Sequence, residues 1–305
     1  MEFKPLSFLL ITSLVLATSC RAGDGPSRFA VALSPTPVLN TPDFAAVFGG
    51  RDGKTLHTDK CGQIRAMEFV ALPETAFRIE AAIPAGDHAI YRVSTADYPY
   101  PSASGYFVDS RFVKETASEP PPRPRRLPPR ETIIARLRSA TGTRYVWGGN
   151  IRRGVAEILC LYPPPAGLDP ATLERWQLAG LDCSGLLYEA TDGWTPRNTS
   201  ALVASGRGVP IAGLGAADIV RRARPLDLIV WQGHVLIVID RNQVIESHLD
   251  CGEKGDGGVR VRPLAGVIGD LLATRVPLDT YGEAGAHGRK GFVIRRLFPE
   301  ESGTR

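Results

Sequence analysis

One cysteine of the 305-residue chain stands where a thiol could act as a nucleophile. In Asp182-Cys183-Ser184-Gly185-Leu186-Leu187-Tyr188-Glu189-Ala190, an Asp able to cap a helix precedes the Cys and places Cys183 in the first turn. A helix N-terminus favours negative charge, so the thiol pKa is expected to be lowered toward the reactive thiolate. The alternative is a buried Cys packed as a small hydrophobe. The polar flanks Asp182 and Ser184, and a Gly185 that lets another chain segment approach, weigh against it. His234 follows Gly233 and opens the apolar run 235–239, which puts an imidazole at a strand start. A thiol at a helix start and an imidazole at a strand edge are what thiolate–imidazolium catalysis requires. A third group should hold the imidazole through its other nitrogen. Glu246 and His248 lie on one face of the next strand, because side chains alternate, so parity leaves both open. Chemistry favours Glu246, whose carboxylate accepts the imidazole N–H and stabilises the charged ring.

These groups need elements to position them. Ile133, Ile134 and Leu137 form one apolar face of a helix that Gly142 ends. Residues 228–231, 234–239 and 244–248 read as a strand meander that follows the helices. Helices first and antiparallel strands afterwards make an α+β layout rather than a doubly wound one. Upstream, short runs rich in β-branched and aromatic residues at 29–33, 64–72, 77–83, 89–94 and 106–113 predict a small all-β barrel. Between the two lies a proline-rich stretch at 117–130, read as a stiff spacer whose arginines are solvated.

The chain opens with Lys4, an apolar run at 6–16 and Ala17-Thr18-Ser19-Cys20. That run is too short to span a bilayer, which takes about 20 residues, and fits a signal-peptide core. Small residues before Cys20 resemble a bacterial lipoprotein cleavage box, with Cys20 as the lipidated first residue. The alternative is an ordinary secretory signal, and either places the mature protein outside the cytoplasm. Hydrophobic content of 43%, charge of 22% and a net charge of +4 fit a soluble globular protein of two domains. No Lys/Arg run with interleaved aromatics supports a nucleic-acid partner. Cys61, Cys160 and Cys251 could form disulfides, but their spacing lacks the close pairs of a zinc site. With no Gly-rich phosphate loop either, no metal and no cofactor are expected.

Taken together, these segments resemble the NlpC-type cell-wall peptidases, a papain-like family of cysteine endopeptidases. Tyr145-Val146-Trp147-Gly148-Gly149 is similar to the family's Tyr-x-x-Gly-Gly motif, and Asp182-Cys183-Ser184-Gly185-Leu186 to its nucleophile motif. Arg197-Asn198-Thr199-Ser200 resembles the segment after the nucleophile helix. Residues 225–231 stand where the family has Pro-Gly-Asp-Leu, and Gly233-His234-Val235 matches its catalytic His. The resemblance covers residues 131–265, with the motifs in the family's order. It implies Cys183 as nucleophile, His234 as base and, twelve positions on, Glu246 as the third residue, where many members have His. It also implies that Tyr145, Asp182 and Ser184 belong to the substrate pocket. The family's common substrate is the γ-D-glutamyl–diamino-acid bond of peptidoglycan stem peptides, and some members carry an N-terminal Src-homology-3-like domain. The layout so implied is a signal and lipobox at 1–20, a barrel at 28–115, a linker at 116–130 and a peptidase domain at 131–299. Two departures stand out: Leu226 replaces the usual Gly, and the stretch 151–180 is long, either a flap beside the cleft or a surface decoration. The rivals are an acyltransferase or amidase on the same fold, and an inactive wall-binding module.

Overall fold

Alternation of apolar and polar residues in the first part of the chain builds a seven-stranded antiparallel sheet. The computed structural model describes residues 28–252, 257–282 and 290–298; the signal segment and Cys20 lie outside the described residues. The elements of this part are β1 (Arg28–Ala32), β2 (Thr36–Leu39), α1 (Phe44–Gly49), β3 (Met67–Ala71), β4 (Ala76–Ala85), β5 (His88–Ser94), β6 (Tyr106–Asp109) and β7 (Val113–Thr116). Their order in the sheet is β3-β2-β6-β5-β4-β1-β7, which leaves β3 at an edge. β2 and α1 fall in a stretch that the β-rich runs pass over; Asp43 caps α1 by accepting the Ala46 N–H at 2.9 Å.

The second part runs α2 (Arg130–Ser139), β8 (Asn150–Ile151), α3 (Ile158–Leu161), α4 (Pro170–Trp176), β9 (Gly180–Leu181), α5 (Cys183–Ala190), α6 (Thr199–Leu202), β10 (Arg207–Val209) and α7 (Ala216–Arg222). Then follow β11 (Asp227–Trp231), β12 (His234–Val238), β13 (Gln243–Leu249), β14 (Gly257–Pro263), α8 (Leu264–Thr274), β15 (Val276–Pro277) and β16 (Gly291–Arg296). The main sheet has the order β10-β16-β11-β12-β13-β14, and β8 pairs with β9 apart from it. Helices cover both faces. Leu228, Val230, Val235, Ile237 and Ile245 pack with Ile133 and Leu137 of α2 and Leu186 and Leu187 of α5. On the other face Ile229, Leu236, Val238 and Val244 meet Ile219 of α7 and Leu264, Val267 and Ile268 of α8. A strand buried on both faces reads as an unbroken apolar run, as residues 235–239 do. Leu226, where a Gly was expected, keeps the left-handed backbone with φ of 69°. Its N–H is held by the Val238 carbonyl at 2.6 Å and its side chain is buried.

Three features differ from the sequence reading or complete it. The arginines of the proline-rich stretch are not all solvated. Arg123 is only 9% exposed. Its Nε donates to Asp97 Oδ2 at 2.9 Å, and Nη1 and Nη2 donate to the carbonyls of Asp192 and Gly193, just past α5, at 3.2 and 3.1 Å. Arg125 reaches Asp97 Oδ1 at 2.7 Å. Burial alone would raise the Asp97 pKa, but Arg125 and Arg123 hold it below the usual carboxylate value. A guanidinium can leave water when its donors are met in this way.

The stretch 151–180 is neither a flap nor a decoration. Val155, Ile158, Trp176 and Leu178 join the core of the first sheet. Tyr162 stacks on Phe48, ring centroids 5.3 Å apart, and donates its hydroxyl to Asp109 at 2.5 Å. These apolar residues are too sparse to show a period, so the sequence hides their burial. Finally, Cys61 and Cys251 form a disulfide across 190 residues, joining the loop before β3 to the turn after β13. Cys160 and Cys183 are free. Among the described residues no helix is long and apolar enough to cross a membrane.

Arg123→Met should strand two carbonyls and leave Asp97 with one cation. A loss of about 2–4 kcal/mol is expected from urea unfolding, given the cost of breaking a buried pair. The exposed neighbour Arg126→Met serves as control and should stay within about 0.5 kcal/mol. Equal small effects of both would refute the buried clamp.

Candidate active site

The geometry starts at the first turn of α5. Asp182 has extended backbone and caps the helix by accepting the Gly185 N–H on Oδ1 at 2.6 Å. The turn runs tightly against the Tyr145–Gly149 segment, and the Asp182 N–H donates to the Gly149 carbonyl at 2.9 Å. A Cβ on Gly185 would stand 1.9 Å from that carbonyl oxygen, and one on Gly149 would stand 2.6 Å from the Gly180 carbonyl oxygen. Both motif glycines are therefore demanded by backbone meeting backbone.

Arg197 completes this turn. It is 3% exposed. Nη2 and Nη1 fork onto Asp182 Oδ2 and Oδ1 at 2.6 and 3.0 Å. Nη1 also donates to Ser184 Oγ at 2.9 Å, Nη2 to the Gly149 carbonyl at 3.3 Å and Nε to Asn150 Oδ1 at 3.3 Å. Five bonds use the five N–H donors of a guanidinium. Asp182 and Ser184, expected to face substrate, thus have oxygens committed to Arg197. Arg197 itself was legible only as part of the segment after the helix; nothing in its neighbours announces a buried ion pair.

Cys183 is buried at 8% exposure. Its Sγ faces the Gly233 carbonyl oxygen at 4.0 Å, next to the start of β12. Burial pushes the thiol up to about 12, the Asp182 charge adds to this, and Arg197 with the Val235 and Ser184 N–H groups opposes it. The expected lowering at the helix start is not found. Burial outweighs a helix end, and the residue that caps the helix also sets a negative charge beside the sulfur. Tyr145 lies close by; its phenol is raised first by burial, then by Asp182 and Cys183. The next aromatic, Trp147, is 40% exposed, with the Arg65 guanidinium 4.2 Å above its ring. The Trp147 N–H donates to Gln63 Oε1 at 2.9 Å, so the loop that carries Cys61 braces this segment.

His234 opens β12 after a turn whose Gly233 N–H is held by Thr199 Oγ1 at 3.0 Å. Its Nε2 lies 2.7 Å from Glu246 Oε2, which leaves Nδ1 as the nitrogen open to proton transfer. Glu246 also accepts Arg260 Nε at 3.1 Å and Arg262 Nη1 at 3.3 Å, both from β14. Burial alone would raise its carboxyl, but the bond to His234 and the charges of His234 and Arg260 hold it at about 2. His248 makes no such bond. Its Nδ1 lies 2.7 Å from Asp250 Oδ1, and its ring stands edge-on to His234 with centroids 5.5 Å apart. Trp231 flanks His234 at 5.3 Å. Sequence reasoning missed Arg260 and Arg262. Their alternation on β14 is visible, but what they face depends on the pairing of Glu246 with Arg260 and Val244 with Arg262. Among the described residues no group of three or more His, Cys, Asp or Glu is arranged to hold a metal ion.

No family model and no curated protein matches the chain. Among solved structures it is similar to the peptidoglycan hydrolase RipB from Mycobacterium tuberculosis, at 24% identity and a TM-score of 0.32, over 56% of this chain and 65% of that one. It is similar to an NlpC/P60 family protein from Bacillus cereus at 16% identity and a TM-score of 0.32, over 90% of this chain and 64% of that one. A third is RipD from Mycobacterium tuberculosis, a non-catalytic NlpC/p60 domain protein, at 21% identity and a TM-score of 0.30, over 54% of this chain and 95% of that one. The chain spans just under two thirds of the length of the first two.

The raised thiol yields a prediction. With a pKa of about 12, the thiolate is scarce at neutral pH and grows about tenfold per pH unit. Alkylation of Cys183 by iodoacetamide, followed in a Cys160→Ser background because Cys160 is also free and exposed, should be slow at pH 7 and climb steadily to pH 10. A rate already flat between pH 6 and 8 would mean a preformed ion pair and would contradict it.

Proposed function

We propose that the chain is a cysteine peptidase that hydrolyses peptidoglycan stem peptides, most specifically the γ-D-glutamyl–diamino-acid bond. The observation that carries the catalytic part of this reading is the bond between His234 and the buried carboxylate of Glu246, next to a helix-borne Cys183; the substrate follows from the family resemblance. The carboxylate, held by two arginines, fixes the ring through Nε2 and leaves Nδ1 free, as thiolate–imidazolium chemistry requires. In this reading the Cys183 thiol passes its proton to His234 Nδ1 as Sγ attacks the peptide carbonyl. The imidazolium then protonates the leaving amine, and water hydrolyses the thioester. Glu246 fixes the ring and stabilises its charged form. Tyr145 lines the substrate pocket, while Asp182 and Ser184 act through Arg197 to set the nucleophile. No metal or cofactor takes part.

The wider layout belongs to the same proposal. Residues 28–115 form a unit like the Src-homology-3-like domains, 116–130 join it to the rest, and 131–299 form a papain-like peptidase unit. The protein is exported and lipid-anchored in the envelope through Cys20; the Cys61–Cys251 disulfide supports an oxidising compartment. Burial of the thiol, which disfavours its thiolate, is what favours a wall-binding module without catalysis.

Digestion of purified sacculi and of defined muropeptides, with the products weighed, tests the proposal. The parent should release stem-peptide fragments cut after γ-D-glutamate. Cys183→Ala and His234→Ala should each abolish release, and Glu246→Gln should lower the rate by about 10²-fold. His248→Ala should cost much less. Binding of sacculi without any cleavage would favour the inactive module. Cleavage by folded Cys183→Ala would overturn the nucleophile assignment.

A further inference from the structure

One side chain links an edge strand of the first sheet to the helix turn that bears Cys183. β3 is an edge strand, bonded to β2 on one side only. On its other side the Val70 N–H and C=O are buried and need partners. Asn150 supplies both. Its Oδ1 accepts the Val70 N–H at 2.9 Å and its Nδ2 donates to the Val70 carbonyl at 2.9 Å. The carboxamide thus completes the strand edge as a neighbouring backbone would. Asn150 is fully buried, and the same Oδ1 accepts Arg197 Nε at 3.3 Å. From Arg197 the contacts run to Asp182 and Ser184, and from Asp182 to the Gly185 N–H in the first turn of α5.

We propose that Asn150 is a positioning residue that ties the edge strand of the first sheet to the helix turn bearing Cys183. Arg197 has every donor placed, so its orientation is set by all of its acceptors together. Four of the five bonds go to Asp182, Ser184 and Gly149, all within or against the turn itself. The bond to Asn150 is the one that refers the guanidinium to the first sheet. Removing it frees the guanidinium to shift with the turn and leaves the Val70 groups without partners. The Cys183 sulfur sits on that turn, and displacements near 1 Å at a reacting centre cost up to about 10²-fold in rate. The kinetic consequence rests on the proposed peptidase reading; the coupling itself does not.

The test is therefore two-part. Backbone hydrogen exchange followed by mass spectrometry should show faster exchange in Asn150→Ala at two places, residues 67–71 and residues 183–190. Acceleration confined to 67–71 would mean that Asn150 only satisfies Val70, and would overturn the proposal. On a cleaved muropeptide, Asn150→Ala should lower kcat by about 10- to 100-fold with KM within about threefold. An unchanged kcat together with unchanged exchange at 183–190 would equally overturn it. Absence of cleavage by the parent would instead count against the peptidase reading, with the exchange result still deciding the coupling. Asn150→Asp keeps the acceptor for Val70 and Arg197 but loses the donor to the Val70 carbonyl, so near-ultraviolet circular dichroism first checks that both variants are folded. Asn150→Asp should keep 183–190 closer to the parent than Asn150→Ala does; exchange there as fast as in Asn150→Ala would overturn the proposal.

Discussion

The ion pair between Asp182 and Arg197, closed off from water at the first turn of α5, is the interaction on which the candidate site depends. Taking two charges out of water costs several kcal/mol for each, and only good geometry with every donor and acceptor satisfied offsets it. Here the guanidinium forks onto both carboxylate oxygens, and its remaining donors reach Ser184, Gly149 and Asn150. One carboxylate therefore does three things: it caps α5, anchors Arg197, and sets a negative charge beside the thiol. Without Arg197 that charge would stand uncompensated next to the sulfur. The pair is thus less a source of stability than the condition under which a polar first turn can be buried at all.

A second consequence concerns how the two sheets are held. A proline linker between independent domains would leave their relative placement loose. Instead several ties join them, among them the Cys61–Cys251 disulfide, the Arg123 clamp, the core shared with residues 155–178, and the Asn150 carboxamide. The loop bearing Cys61 also braces Trp147 beside Tyr145, so part of the ground around Cys183 is built from the first part of the chain. On the other side, Glu246 is held by arginines of β14, and β13 is fixed to the first sheet through Cys251 just past its end. The thiol and the imidazole thus sit between elements that are each tied back to the first sheet.

Much of this was legible in the chain. The apolar run at 228–231 falls within β11, and the run at 235–239 matches β12 but for Ile239, because strands covered on both faces leave an uninterrupted apolar signal. The Asp before Cys183 announced a helix cap, and Gly185 a close approach, both local features. What the chain did not disclose depends on partners far away in sequence. Arg123 reads as one more linker arginine until Asp97 and the Gly193 carbonyl are beside it. Cys61 and Cys251 could not be paired by spacing alone. The thiol is the instructive case. A helix start lowers a pKa and burial raises it, and the extent of burial is a tertiary quantity that no local pattern contains. The choice between Glu246 and His248 is of the same kind: both share a face of β13, and their bonds to His234 and to Asp250 are set by strand twist and by the turn that follows.

The central claim is that Cys183 carries a covalent intermediate. Rapid acid quenching of the protein with a stem peptide, followed by intact mass and peptide mapping, tests it most directly. The acyl part of the peptide should appear on the protein as a labile thioester located at Cys183, and should vanish with time as free product accumulates. Product formation with no adduct at any time under conditions where a thioester model compound survives the quench, or an adduct on another residue, would contradict it.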